Sequence, residues 1–203
     1  MIFTSLYLPM LGFLTVASFT PGPNNIMLAS SGVNFGFSRT IPHMLGVTIG
    51  FGCMLLLAGI GLDQVFRAFP LAQQVLRVVA LIFITYLAWG IARSDGSTSQ
   101  DSRGRPQFFW EAASFQLINP KGIAVGVTMI STFIVHEEPF LGQFLMMLGT
   151  GMVLALLSTM TWAAFGVVIR HWIRSPGRLR IFNVTMALLL MVSITPVAID
   201  LFQ

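Results

Sequence analysis

An apolar run from about Ile2 to Ser31 is broken in its middle by Thr20-Pro21-Gly22-Pro23-Asn24-Asn25. A proline removes a backbone donor and clashes with the preceding helical turn, and glycine adds backbone freedom. No helix passes undisturbed through two prolines that flank a glycine, so the fold must absorb a break inside a long apolar segment. Where such a segment crosses a bilayer, the break frees carbonyl and N–H groups near the midplane. Hydrocarbon cannot satisfy them, and they must face protein, water or a ligand. Asn24 and Asn25 add hydrogen-bonding capacity at the same depth. A single proline kink is commonly structural; Pro-Gly-Pro-Asn-Asn points to a functional break.

Composition argues that the segment does cross a bilayer. Only 9% of the 203 residues are charged and 55% are hydrophobic, against roughly 25% charged in a soluble domain. With a mean hydropathy of +0.83, the class is an all-α, polytopic integral membrane protein. The chain has 11 Lys+Arg against 7 Asp+Glu, but the arginines sit in short loops between apolar runs, which excludes a nucleic-acid partner. Cys53 is the only cysteine, so no intrachain disulfide forms and a reactive thiol is not expected. The first run has no basic leader or small-residue cleavage site, and is expected to remain as a span.

A span needs about 20 mostly apolar residues. Six are expected, at 3–31, 42–62, 69–92, 108–135, 139–168 and 181–202. A polar stretch at 93–107 divides the chain into two three-helix segments, 1–92 and 108–203. Alternate loops carry Arg39, then Arg93, Arg103 and Arg105, then Arg170, Arg174, Arg178 and Arg180. The other side has Arg67 and Arg77 beside Asp63, Glu137 and Glu138. The positive-inside rule places the arginine-rich loops in the cytoplasm and both termini outside. Trp89, Trp110, Trp162 and Trp172 fall near the cytoplasmic ends, which agrees.

Three spans per half make the second half enter the membrane inverted. A shift of 99 residues chosen to superpose Pro21 on Pro120 also pairs Gly50 with Gly149 and Gly52 with Gly151. Two inverted repeats with facing broken helices, spans one and four, are a recurring transporter design.

The partner break is Gln116-Leu117-Ile118-Asn119-Pro120-Lys121-Gly122, halfway along span four. Lys121 is the only lysine. A cation at this depth costs at least ~2.5 kcal/mol, and a side-chain reach of ~6 Å does not escape a core ~30 Å thick. Lys121 therefore faces a polar cavity or a partner. It either bonds carbonyls released by Pro21 and Pro120 or meets the carboxylate of a ligand. A half-helix beginning after each break favours an anion at its N-terminus. The half-helix ending before each break offers carbonyls to an ammonium. A small zwitterion fits both, with Asn24, Asn25 and Asn119 orienting it.

Gly46-x-x-x-Gly50, Gly149 and Gly151 are expected to allow close helix packing, and leave a homodimer possible. His43, His136 and His171 are expected at span ends without ligand spacing, so no metal or cofactor is expected. Glu111, Asp63 and Asp200 sit near helix ends, and none stands out as a proton carrier. Ser30-Ser31-Gly32 lacks the setting of a nucleophile elbow, so no catalytic residue is expected.

The Thr-Pro-Gly-Pro-Asn-Asn motif at 20–25, Gly36-Phe37-Ser38-Arg39, Gly46-x-x-x-Gly50 and Asn119-Pro120-Lys121 resemble the LysE/RhtB amino-acid exporters in order, spacing and total length. With Ile26 following, the first motif looks most like the branch containing cysteine and O-acetylserine exporters. One departure is Arg77-Val78-Val79-Ala80, where many members carry Gly-Ala after a basic residue. The resemblance implies a bacterial inner-membrane efflux protein for amino acids or close derivatives, driven by the proton gradient. The expected substrate site comprises Pro21, Gly22, Pro23, Asn24, Asn25, Asn119, Pro120, Lys121 and Gly122. The competing readings are a non-transporting membrane scaffold, with a sealed interior and Lys121 fully bonded, and an intramembrane enzyme, for which no nucleophile–base set is visible.

Overall fold

A computed structural model describes residues 2–61, 68–93, 105–135, 138–173 and 175–199. Among these residues all regular structure is helical. The first run is split as its prolines demand: α1 covers Ile2–Phe19 and α2 Pro23–Phe35. Gly22 lies between them in a fully extended conformation, and Pro23 opens α2, where its missing N–H costs nothing. α3 (Phe37–Gly59) follows across Gly36, whose φ of 82° lies in the left-handed region that favours glycine. α4 covers Pro70–Ala92.

The second break is equally sharp. α5 (Phe109–Ile118) stops at Asn119, and α6 (Pro120–Phe133) begins on the proline. The Asn119 side-chain oxygen caps α6 by accepting from the Lys121 backbone N–H at 3.2 Å. α7 runs Phe140–Trp172, α8 Pro176–Ser193 and the short α9 Thr195–Ile199. Segments Phe37–Gly59, Gln74–Ala92 and Phe140–Trp172 are each long and apolar enough to cross a membrane.

Three expectations need correction. α7 continues past 168 and carries Arg170 and His171 on its last turn. α8 begins before 181, because Ser175 caps it and Pro176 starts it, so Arg178 and Arg180 are helical rather than in a loop. His43 is not at a helix end: Gly36 starts α3 early enough to place His43 inside it, 1% exposed. Asp63, Arg67, the 94–104 stretch, His136, Glu137, Arg174 and Asp200 lie outside the described residues.

Helix packing in lipid depends on close contact rather than on water exclusion, and glycine supplies it here. A Cβ on Gly32 would collide with the Ala163 carbonyl of α7, and one on Gly166 with the Ala29 carbonyl of α2. Gly46 and Gly50 of α3 meet the Phe109 and Ala113 carbonyls of α5 in the same way. Along these two seams backbone touches backbone. Elsewhere α3 and α7 touch through side chains: Gly151 faces Leu55, and Gly52 faces Met152. Gly149 takes no part in such packing, for a Cβ there would have no atom within 4 Å.

Buried apolar residues fill the spaces between. Met10, Leu14, Met54, Leu55, Met129 and Met147 form one cluster joining α1, α3, α6 and α7. Ile26, Met27, Ile84, Ala88, Phe115 and Leu190 form another joining α2, α4, α5 and α8. Asn34 of α2 and Asn183 of α8, both buried, exchange amide hydrogen bonds at 2.8 and 2.9 Å. At the start of α5, Glu111 accepts from the Phe108 N–H and pairs with Arg105. That hydrogen bond raises the Arg105 pKa above its ordinary value.

Candidate functional site

The two breaks come together. Between them lies an open-mouthed cavity of about 550 Å³, counted with the solvent space at its mouth. Gly22, Pro23, Asn24 and Asn25 line it from the first break, and Asn119, Lys121 and Gly122 from the second. Of the nine expected site residues, only Pro21 and Pro120 are not on its wall. Their contribution is to make the breaks.

Two of the carbonyls freed at the end of α1 are already taken. Ser18 O accepts from Asn25 Nδ2 at 2.8 Å and from Ser158 Oγ at 2.7 Å. Thr20 O accepts from Asn25 Nδ2 at 2.9 Å and from Lys121 Nζ at 2.6 Å. Each has used both lone pairs, so neither of these two stands free for a ligand's ammonium in this state. A buried carbonyl left unpaired costs about 1–3 kcal/mol, which is reason enough for the chain to fill them itself.

Lys121 makes the carbonyl contact of the structural alternative, yet it also lines an open cavity. The contact uses one of its three donors. No carboxylate lines the cavity among the described residues, so no protein anion there balances its charge. The N-termini of α2 and α6 add partial positive charge at the same place. Gly22 makes room for the lysine: a Cβ there would sit 2.9 Å from Lys121 Cδ. Gly122 has no such constraint, with its nearest neighbours at 3.7 Å.

Gln116 was not singled out from the sequence, and it ties the floor of the site together. Its amide exchanges hydrogen bonds with Asn24 across the two breaks, at 2.8 and 3.1 Å. It also donates to Ala112 O at 3.0 Å and accepts from Asn119 Nδ2 at 3.3 Å. The signal was present, since a glutamine amid apolar residues cannot be satisfied by lipid any more than an asparagine can. Ser158 and Thr159 of α7 gave no such signal, because a helical hydroxyl can return to its own backbone. Val47, Phe51, Val125 and Ala155 supply the apolar wall.

Comparison with known proteins agrees with the two-motif resemblance. The family model described as LysE type translocator matches residues 15–200. The cysteine/O-acetylserine efflux protein of Escherichia coli (strain K12) is 33% identical over 183 residues, covering 88% of this chain and 90% of its own. Its counterpart in Salmonella typhimurium (strain LT2) is 33% identical over 182 residues, with the same coverage. No solved structure matches the chain. With two joined helix breaks, a cavity between them and a match over most of its length, this multi-pass membrane chain belongs to the LysE type translocator family and is a transporter rather than an enzyme.

Proposed function

We propose that the protein exports small, uncharged-side-chain amino acids or close derivatives, cysteine and O-acetylserine being the first candidates, across the bacterial inner membrane. The observation that carries this reading is the cavity between the two breaks with Lys121 on its wall and no carboxylate beside it. A site of this charge suits a zwitterion and repels a second cation. The names of the relatives point to the same substrate class.

In this reading the chain crosses the membrane six times, as inverted repeats 1–92 and 108–203 joined by the 93–107 linker, with both termini outside. α1 with α2, and α5 with α6, are the two broken crossings. The substrate carboxylate draws Lys121 Nζ away from Thr20 O, and the freed lone pair accepts from the substrate ammonium. Asn24, Asn25 and Asn119 orient the ligand. One cation leaves the carbonyl as another arrives, so the exchange conserves charge at the break.

Alternating access follows the repeats. The glycine seams of α2 on α7 and α3 on α5 lie on the cytoplasmic side of the cavity in this topology. Gly149, which the 99-residue shift pairs with Gly50, lies on an exposed face of α7 with open space around it. The two seams support a state closed to the cytoplasm. The proton gradient drives the cycle.

Counterflow of a radiolabelled amino-acid panel in proteoliposomes tests the reading. Wild type is expected to exchange one or a few small neutral substrates, and Lys121→Ala to lose that exchange while remaining in the membrane. Full counterflow by Lys121→Ala would remove the role of the cation. Absence of counterflow by reconstituted wild type would favour a scaffold.

A further inference from the structure

His43 is the buried titratable group that the substrate site does not use. It is 1% exposed, and neither Nδ1 nor Nε2 has a protein hydrogen-bond partner. Native interiors rarely leave such groups orphaned, and each instance calls for a reason. Its position suggests one. His43, Val47 and Phe51 succeed one another at four-residue intervals along one face of α3, and Val47 and Phe51 line the cavity. One helical turn, about 6 Å, separates His43 from Val47 on the side away from the cavity. It therefore sits beneath the amide floor made by Asn24 and Gln116. Gly46, three residues on, packs against the Phe109 carbonyl in the glycine seam. Gln107, just ahead of α5, likewise has both amide atoms buried and without a protein partner.

The charged surroundings are sparse. α2, packed against α3, carries no ionisable side chain. α5 contributes Glu111, whose charge acts on the ring and which is paired with Arg105. α6 contributes Lys121, at the cavity, and α7 contributes Arg170 and His171 at its last turn. On α3 itself, Arg39 lies one turn earlier and is exposed.

We propose that His43 is the proton-carrying residue of the transport cycle, its protonation beneath the cavity floor opening the α3–α5 seam. The inference rests on the proton-driven export reading and names the residue that reading leaves unassigned. A neutral ring has one donor to satisfy, and an imidazolium has two. The closed seam offers an acceptor to neither, whereas an opened seam offers water. A proton arriving from the outer side binds a ring nitrogen, the seam opens, and the proton leaves to the cytoplasm. The neutral ring then permits closure with substrate aboard. Lowering the pH therefore favours the protonated, seam-open state.

The test uses the full chain in proteoliposomes with radiolabelled cysteine, kept reduced. Counterflow needs no proton cycle, while accumulation driven by an imposed pH gradient does. His43→Gln is expected to lower counterflow less than twofold and gradient-driven accumulation at least tenfold, with a flattened pH profile. His43→Met guards against a merely structural role. Because it removes two orphaned nitrogens, it is expected to melt no lower than wild type in detergent and still lose gradient-driven accumulation. Gradient-driven accumulation and a pH profile like those of wild type in either variant would overturn the proposal. So would a wild type that shows counterflow but no accumulation under an imposed pH gradient, although transport itself would then stand. A wild type without counterflow of any amino acid would remove the transport reading, and this one with it.

Discussion

Gly50 and Gly149, paired by the 99-residue shift, meet different surroundings, which makes them a useful pair for measuring the seam. In Gly50→Ala the new Cβ would lie 2.6 Å from the Ala113 carbonyl oxygen, 2.7 Å from Ala113 Cα and 2.7 Å from Gln116 Cγ. An ordinary contact needs about 3.5 Å or more, so α5 must retreat by most of an ångström. Overpacking costs about 1–3 kcal/mol, and backbone, not a flexible side chain, is in the way here. Alanine's better helix propensity is gained whether the seam is closed or open, and cancels. A cost of about 2 kcal/mol against the closed seam shifts a two-state equilibrium about thirtyfold toward opening. Gly149→Ala meets no atom within 4 Å and should gain the propensity without the clash. The assay is a single reporter thiol, Ala112→Cys in a Cys53→Ser background, labelled from the cytoplasmic face with an impermeant maleimide. Ala112 is 0% exposed and faces Gly46 across the seam, so it reports only when α3 and α5 part. Labelling should accelerate about thirtyfold in Gly50→Ala and stay within twofold in Gly149→Ala. Equal rates in the two variants would refute both the seam and its role as the closed gate.

Gln116→Leu keeps the volume but strips Asn24 and Asn119 of a shared partner inside the bilayer. Each orphaned amide costs about 1–3 kcal/mol, so detergent melting should fall by several degrees and counterflow should be lost; an unchanged melting point would show that the amide floor carries no weight. Arg105→Gln should do little. The pair it forms with Glu111 is half-exposed, at 53% and 39%, and is worth under about 1 kcal/mol. Because Glu111 raises the Arg105 pKa, the stabilisation is complete below the ordinary arginine value and is lost only above it. Melting curves of wild type and variant from pH 6 to 9 should therefore stay parallel, and a gap that closes within that range would contradict the assignment.

The sequence showed where the chain breaks because proline and glycine act locally, through their own dihedral angles and missing donor. It showed that Lys121 needs a polar setting because the cost of a buried cation depends on depth alone. It did not show which groups take the freed carbonyls. Asn25 reaches Ser18 and Thr20 from the following turn, but Ser158 and Lys121 come from two distant segments, and no local rule orders such competitors. Gln116 and Asn24 are 92 residues apart, so their reciprocal bond is a property of the assembled helices. His43 was misplaced for a simpler reason. Taking Pro42 as the start of a span put its neighbour at the edge, while Gly36 in fact turns the chain six residues earlier. The extents of α7 and α8 were missed similarly, because arginines on a terminal helical turn resemble loop residues when only hydropathy is followed.

The closest helix pairs have a consequence for synthesis. α2 finds its partner in α7, α3 in α5, and α4 in α8, so each early helix pairs with one that the ribosome has yet to make. More than a hundred residues separate α2 from the start of α7, and at roughly 5–20 residues per second this is a wait of some 5–20 s. Throughout that interval Gly32 has no backbone to lie against, and Asn34 lacks the amide that later pairs with it from α8. A nascent chain of this kind needs an insertion machinery that shelters half-polar helices laterally until the last one arrives. Truncation before Asn183 leaves Asn34 with only Ser30 of its own helix as a partner, and its amide oxygen without the donor that α8 brings.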